Sequence, residues 1–254
     1  MVAAAAPQTP LDARLAEHRR IWDEKEVLRT VYGDYYRRLL GACPPTGRLL
    51  DIGGGSAHVK SFRDDVVTLD ILPFPGIDVV GDAHELPFSD GAFSGIVMLD
   101  VLHHLERPVA FLKEAARVLA PGGHLAMMEP GITPVSWWFY HFVHQEPVVL
   151  SQDPFAMTAR QPGKDPFDSN QAIPTLMFGS KRGLARVGES VPEFRVTLVD
   201  WLSVAVYPLS GGFKPWCLVP KGLARSGIAL EDKLPRFLRR TAGFRLFTVL
   251  ERIV

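Results

Sequence analysis

The strongest constraint on this chain is one stretch, Leu49-Leu50-Asp51-Ile52-Gly53-Gly54-Gly55-Ser56-Ala57-His58. An apolar run that ends in a carboxylate and then breaks on glycines is the pattern of a buried parallel strand whose next loop must approach a ligand closely. Glycine permits positive φ and puts no Cβ in the way, and a following helix N-terminus offers free N–H groups. A dinucleotide-binding G-x-G-x-x-G turn would need a small residue at its sixth position, where His58 stands. Asp51 would also repel a pyrophosphate, so the loop suits a ligand that carries positive charge.

Around this loop the chain alternates helix and strand signals. Leu11 to Leu40 has helical apolar spacing, broken near Arg20–Asp23, and predicts two helices. Arg48–Ile52 reads as strand one, His58 to about Arg63 as a short helix, and Val66–Leu69 as strand two with Asp70 at its end. A parallel crossover usually takes a dozen or more residues. Here Ile71–Gly76 contains Pro73 and Pro75, which forbid a helix, so Ile77–Val80 is expected to be a very short third strand reached by a loop. Phe93–Leu99 is a buried strand followed by Asp100. Pro108–Leu119 is an amphipathic helix stopped by Pro121-Gly122-Gly123, and His124–Met128 is strand five, with Glu129 and Pro130 at its carboxyl end. Beyond it lie an aromatic segment, Ser136–His144, and a proline-punctuated loop, Gln145–Ala172, of a length that is usually functional. A helix at Ala172–Gly179 and two strands, Phe194–Val206 and Phe244–Ile253, complete the chain, with an irregular lobe at Tyr207–Trp216 between the strands.

Asp51-Ile52-Gly53-Gly54-Gly55 resembles the D-x-G-x-G signature of the class I S-adenosylmethionine (SAM)-dependent methyltransferases. Four further segments follow in that family's order: Thr68-Leu69-Asp70, Gly81-Asp82-Ala83 with Leu86-Pro87-Phe88, Phe93 to Leu105, and Leu119 to Gly123. Together they cover roughly residues 48–130. The resemblance implies an α/β fold: a Rossmann-like, seven-stranded sheet with the last strand antiparallel, helices on both faces and an irregular C-terminal acceptor lobe. It implies one domain over 1–254, with N-terminal helices (1–46), a SAM-binding core (47–130) and an acceptor-side segment that completes the sheet (131–254). The missing crossover helix after strand two departs from the family and leaves the adenine pocket more open, or closed by another part of the chain. SAM is the implied cofactor. Its implied contacts are Asp51, Gly53, Gly54 and Gly55 at the glycine loop, Asp70 with Ile71 at the ribose, Asp82 and Ala83 at the adenine, and Leu99 and Asp100 after strand four. Leading helices in this superfamily often cover the cofactor, which offers Tyr32, Tyr35 and Tyr36 either that role or plain packing.

His103 and His104, beside the donor methyl in this fold, are the candidate general bases, since a histidine pKa suits proton removal near neutrality. Either is otherwise a buried hydrogen-bonding residue. His141-x-x-His144-x-Glu146 has ligand-like spacing on a helix, but methyl transfer from SAM needs no metal unless the acceptor is a catechol-like diol, and none is expected. These side chains are read instead as shaping an acceptor pocket. Asp165-Pro166-Phe167-Asp168-Ser169-Asn170-Gln171 reads as turn and cap chemistry or as hydrogen bonding to a polyhydroxylated acceptor. Tyr140, His141, His144, Asn170 and Tyr207 are the candidate acceptor contacts.

The formal charge of the 254-residue chain is zero, so no basic field points to nucleic acid. Two cysteines without metal spacing, Cys43 and Cys217, and the absence of an apolar run of ~18 residues fit a cytoplasmic protein with reduced thiols. The expected function is methylation of a small-molecule acceptor, sugar or lipid-linked among the options, with O-methylation ahead of N-methylation. A catalytically silent SAM-binding scaffold is the alternative from another class, and a nicotinamide enzyme is disfavoured by His58 and Asp51. The aromatics Trp137–Phe142 and the cluster Lys233–Arg240 read either as a core helix with a solvated rim or as peripheral contact with an inner membrane surface. Oligomeric state is not legible.

Overall fold

The computed structural model describes residues 10–55, 58–143, 147–157, 165 and 167–254, with side chains of the first helix described from Glu17 onward. Its centre is a seven-stranded sheet in the order β3-β2-β1-β4-β5-β7-β6. β1 (Leu49–Ile52), β2 (Val67–Asp70), β3 (Val79–Val80), β4 (Phe93–Leu99) and β5 (Leu119–Pro130) run parallel. β7 (Arg245–Arg252) inserts antiparallel between β5 and β6 (Phe194–Leu202). This is the Rossmann-like class I methyltransferase sheet.

Strand side chains alternate between the two faces, and the strands therefore feed two cores. Leu50, Ile96, Met98, Leu125 and Met127 face one, beneath α3 (Pro108–Val118), α5 (Ile173–Phe178) and α6 (Lys181–Ser190). Leu49, Val97, Leu99, Ala126 and Met128 face the other, beneath α2 (Glu26–Gly41), α7 (Val206–Ser210) and α8 (Ala224–Asp232). α1 (Pro10–Glu24) joins this second core through Ile21. α4 (Pro134–Phe142) and α9 (Arg236–Ala242) pack on each other. Local chemistry sets several starts. Thr133 Oγ1 accepts from Ser136 N while Ser136 Oγ accepts from Thr133 N, with Pro134 in the first turn of α4, and each such cap contributes ~1 kcal/mol. Glu231, buried on α8, accepts from the backbone N–H groups of Val204, Ala205 and Val206 and so fixes the start of α7.

Three expectations are corrected. The first concerns strand five, which begins at Leu119 rather than His124. Phe93 pairs with Leu119, the register shifts across Pro121-Gly122-Gly123, and pairing resumes at Gly95 with His124; Gly122 has φ +76°. The second is the C-terminal half, which is less irregular than its glycines and prolines suggested, because short helices α6 to α9 are held by long-range contacts. The third is strand three, which shrinks to Val79–Val80. The loop between β2 and β3 contains no helix, as Pro73 and Pro75 require, and is closed by side chain–backbone bonds instead: Asp78 Oδ2 accepts from Thr68 N and Thr68 Oγ1, and Lys60 Nζ pairs with Asp78 Oδ1.

Candidate active site

At the carboxyl ends of β1, β2, β4 and β5 lies a cavity of about 990 Å³. The glycine loop forms its floor. Gly53 N and Gly54 N both donate to Leu69 O of β2, which folds the loop back over the sheet. Gly53 has φ +71°, and a Cβ there would meet Val101 Cγ2 at 2.2 Å. Gly55 has φ +48°, and a Cβ there would meet only Gly53 O, at an ordinary contact distance of 3.8 Å. Asp70 ends β2 on the cavity wall with Oδ2 accepting from Gly55 N and Oδ1 from Leu72 N, both at 2.9 Å; burial raises its pKa. Ile71, Asp82, Ala83, Leu99 and Asp100 also line the cavity. Asp82 Oδ1 bonds His84 Nδ1 at 2.7 Å, and Arg107 N donates to His84 Nε2.

Asp51 lies elsewhere than its sequence position suggested. It is 2% exposed, beneath the loop rather than on the cavity wall, and its Oδ2 has no hydrogen-bond partner among the described residues. Burial, with Asp70 adding repulsion, pushes its carboxyl up to about 8. Its side chain belongs to the floor because β1 is buried on both faces.

His103 and His104 follow β4 in a 3-10 turn (Leu102–His104), and both line the cavity. His103 Nδ1 donates to Glu129 Oε2 at 2.7 Å; Glu129 Oε1 accepts from Val101 N and Leu102 N at 2.8 Å each. One buried carboxylate at the end of β5 therefore holds both the turn and the ring, and Nε2 is the ring nitrogen that Glu129 does not engage. The His104 ring lies tilted beside that of His103 at 4.1 Å, and its Nδ1 reaches Asp168 O.

Of the acceptor candidates, Tyr140 and Tyr207 line the cavity. His141 does not: it points along the outer face of α4 and stacks on Trp137 at 4.2 Å. Asn170 is also off the wall. Its amide group bonds Val149 N, Val149 O and Gln152 Oε1, and it anchors the loop instead of meeting a ligand. From the same loop Asp165, Phe167, Ser169 and Gln171 do reach the wall. His144 and Glu146, like Ser56, Ala57 and Pro166, fall outside the described residues.

Sequence reading missed two side chains. Glu129 was placed at a strand end without a role, although a carboxylate after an apolar strand was a signal. Arg245 had only the signal of a charge opening an apolar strand. It is 2% exposed, ion-paired with Asp100, and stacked over the Tyr207 ring at 4.2 Å. Its Nε has no partner among the described residues. Asp100 itself adopts φ +60° and accepts from Tyr32 Oη at 3.1 Å. Tyr32 and Tyr36 line the cavity, whereas Tyr35 is bonded to Ser203. From α1, His18 also lines it, and Trp22 stacks on His58 at 3.7 Å. Burial pushes His58 down to about 4.

A glycine loop, strand-end carboxylates and a large cavity over the parallel strands one, two and four fit a SAM-dependent methyltransferase. In agreement, residues 50–127 match the family described as "Methyltransferase domain", which supports a class I SAM-dependent methyltransferase. Among curated relatives, 27-O-demethylrifamycin SV methyltransferase of Amycolatopsis mediterranei is 46% identical over 140 residues, 43% of this chain and 49% of that protein. A probable tRNA methyltransferase 9B of Mus musculus is 36% identical over 102 residues, 35% of this chain and 23% of that protein. The chain thus spans no more than about half the length of these relatives. Among solved structures, geranyl diphosphate C-methyltransferase from Streptomyces coelicolor aligns with a TM-score of 0.53 at 14% identity, over 99% of this chain and 88% of that one, a likeness of fold.

Proposed function

We propose that this chain transfers a methyl group from SAM to a hydroxyl of a small-molecule acceptor. The observation that carries the reading is the buried Glu129–His103 pair, which aligns one imidazole on the wall of a cavity large enough for two ligands. The donor supplies an electrophilic methyl on a sulfonium. The residues present suit it. Asp70 has acceptor positions left over for a ribose diol, Gly53 and Gly55 clear the floor, and Asp82 with Ala83 occupy the position of an adenine edge. Asp51, a buried carboxyl under the loop whose Oδ2 has no partner among the described residues, ionises more readily beside a cationic ligand than beside a phosphate. His103 Nε2 would take the proton of the acceptor hydroxyl, and Glu129 would stabilise the resulting imidazolium; such a base contributes ~10²–10⁴-fold. Tyr32, Tyr140, Phe139 and Phe213 give the cavity aromatic lining, and exclusion of water there would favour a step in which charge disperses. Incubation with methyl-labelled SAM and a panel of hydroxyl and amine acceptors tests this. Release of S-adenosylhomocysteine with hydroxyl acceptors is expected; labelling of amines alone would move the reading to N-methylation, and no turnover with any class to a SAM-binding scaffold.

A lipid-linked acceptor is favoured over a sugar by α4, which faces two ways. Phe139 and Tyr140 line the cavity, while Trp138 and Phe142 are exposed on α4, and α9, which packs on α4, exposes Phe237. Neither helix contains an acidic residue. Arg236 and Arg240 are exposed, but Arg239 is not available to a surface, because it is paired with Asp200 at 2.5 Å. No described helix is long and apolar enough to cross a membrane. Salt-sensitive sedimentation with anionic vesicles, lost in Arg236→Glu/Arg240→Glu, is expected; no binding at low salt would remove the lipid reading.

A further inference from the structure

The segment after α7 forms one side of the cavity, and it is folded around a side chain from elsewhere in the chain. Lys25, the residue between α1 and α2, sends its ammonium to Ser210 O at 2.6 Å, Gly212 O at 2.7 Å, Lys214 O at 2.8 Å and Trp216 O at 3.0 Å. These are every second carbonyl of one short stretch, turned inward where Gly211 and Gly212 take φ +75° and +51°. The turn admits no side chain at its apex, since a Cβ on Gly211 would lie 2.5 Å from Trp216 O. An ammonium has three protons to give, and here it meets four acceptors. The arrangement is therefore a coordination ring, like the carbonyl rings that replace an ion's hydration shell. Without a cation at the centre, four converging carbonyl dipoles repel one another and the stretch has no reason to keep this path. On its other side the stretch carries Phe213, which stacks on His18 at 4.8 Å and meets Tyr32 edge-on at 5.5 Å. All three of these residues line the cavity.

We propose that the carbonyls of Ser210, Gly212, Lys214 and Trp216 form a site for a small monovalent cation, that the Lys25 ammonium is its built-in occupant, and that Lys25 is thereby a positioning residue for the cofactor pocket. The second clause rests on the reading of this cavity as the SAM site; the first stands without it. Removing the ammonium frees the stretch, draws Phe213 away from His18 and Tyr32, and opens the pocket. The four carbonyls re-form the ring when potassium or methylammonium is supplied in place of the ammonium. A guanidinium cannot, because its planar fork is not a compact point charge.

The test compares wild type, Lys25→Met and Lys25→Arg by hydrogen exchange and by titration with S-adenosylhomocysteine. Exchange is followed at Gly211, Lys214 and Leu218, whose amides are bonded within the stretch. In ligand-free Lys25→Met these amides are expected to exchange at least 10-fold faster than in wild type, with those of β5 unchanged. Addition of ~100 mM potassium or methylammonium restores protection to within about 3-fold, and tetramethylammonium does not. The affinity for S-adenosylhomocysteine follows the same pattern, at least 10-fold weaker and cation-rescued, while wild type is indifferent to the added cation. Lys25→Arg retains the charge and supports the fold if the Met variant is too unstable; it is expected to show the defect with no rescue. Wild-type protection in Lys25→Met, or a local defect that no small cation relieves, overturns the ring. Rescue of exchange without any ligand binding by wild type would leave the ring standing and remove the SAM reading instead.

Discussion

Asp70→Asn is the sharpest test of the donor site, because its magnitude can be worked from two hydrogen bonds. An ionised carboxylate offers about four lone-pair positions. Gly55 N and Leu72 N take one on each oxygen, which leaves one on each oxygen for the two hydroxyls of a ribose. Asparagine keeps the shape but replaces one oxygen by an NH₂ group, which presents a donor where an acceptor is needed. Hydrogen bonds to a charged group are worth ~1.5–3 kcal/mol, so the affinity for S-adenosylhomocysteine should fall roughly 10- to 150-fold, a factor of ten per about 1.4 kcal/mol. Part of that loss could come from loosening the Gly55 amide rather than from the sugar. Calorimetric titration with S-adenosylhomocysteine and with its 2′,3′-dideoxy counterpart separates the two. Wild type should bind the dideoxy compound weakly, and Asp70→Asn should bind it about as wild type does. Unchanged affinity of the variant for S-adenosylhomocysteine, or an equal loss for both ligands, would refute the two-oxygen argument.

Glu129→Gln and His103→Gln should each lower single-turnover rates by ~10²–10⁴-fold, and the double variant no further, since both act through one imidazole; full additivity would separate their roles. Gly53→Ala combines a positive φ with a clash against Val101 and should lose more stability in chemical denaturation than Gly122→Ala, which has φ +76° but no neighbour within 4 Å and should cost only the backbone strain, ~1–3 kcal/mol. Asp51 is held up at about 8 in the folded chain, so the unfolded chain releases its proton first as pH rises. Stability should therefore fall from about pH 4 to pH 8 and flatten above it, and in thermal melts the advantage of Asp51→Asn over wild type should grow across that window.

The order of the sheet's first half was legible because its signals are local. Leu49–Gly55, Asp70 and Phe93–Leu99 each announce a strand end within a few residues, and Pro73 with Pro75 announced the missing helix. What escaped depends on pairs distant in sequence. Arg245 meets Asp100 across 145 positions, and Lys25 meets Ser210 across 185; neither leaves a periodicity. His141 and Asn170 were misplaced for the opposite reason. Their residue types suit a ligand site, but helix phase turned one outward, and the loop's own backbone claimed the other. Asp51 shows that a motif position does not decide which way a side chain on a doubly buried strand points.

The helix-free crossover also bears on how this protein behaves at high concentration. In a Rossmann-like sheet the border strand is normally roofed by the crossover that leads to it, and here it is bare. An uncovered border invites a second chain to add its own strand. At the β6 border the long strand is interrupted by a register shift between Val196 and Leu198 and carries Arg195, paired with Glu251; the kink and the charge discourage pairing. The β3 border has neither device, and its protection is brevity: two residues present too short a ladder to template a neighbour. Pro73 and Pro75 thus do more than forbid a helix. By keeping the strand from growing backwards into the loop, they hold this border ladder to two residues.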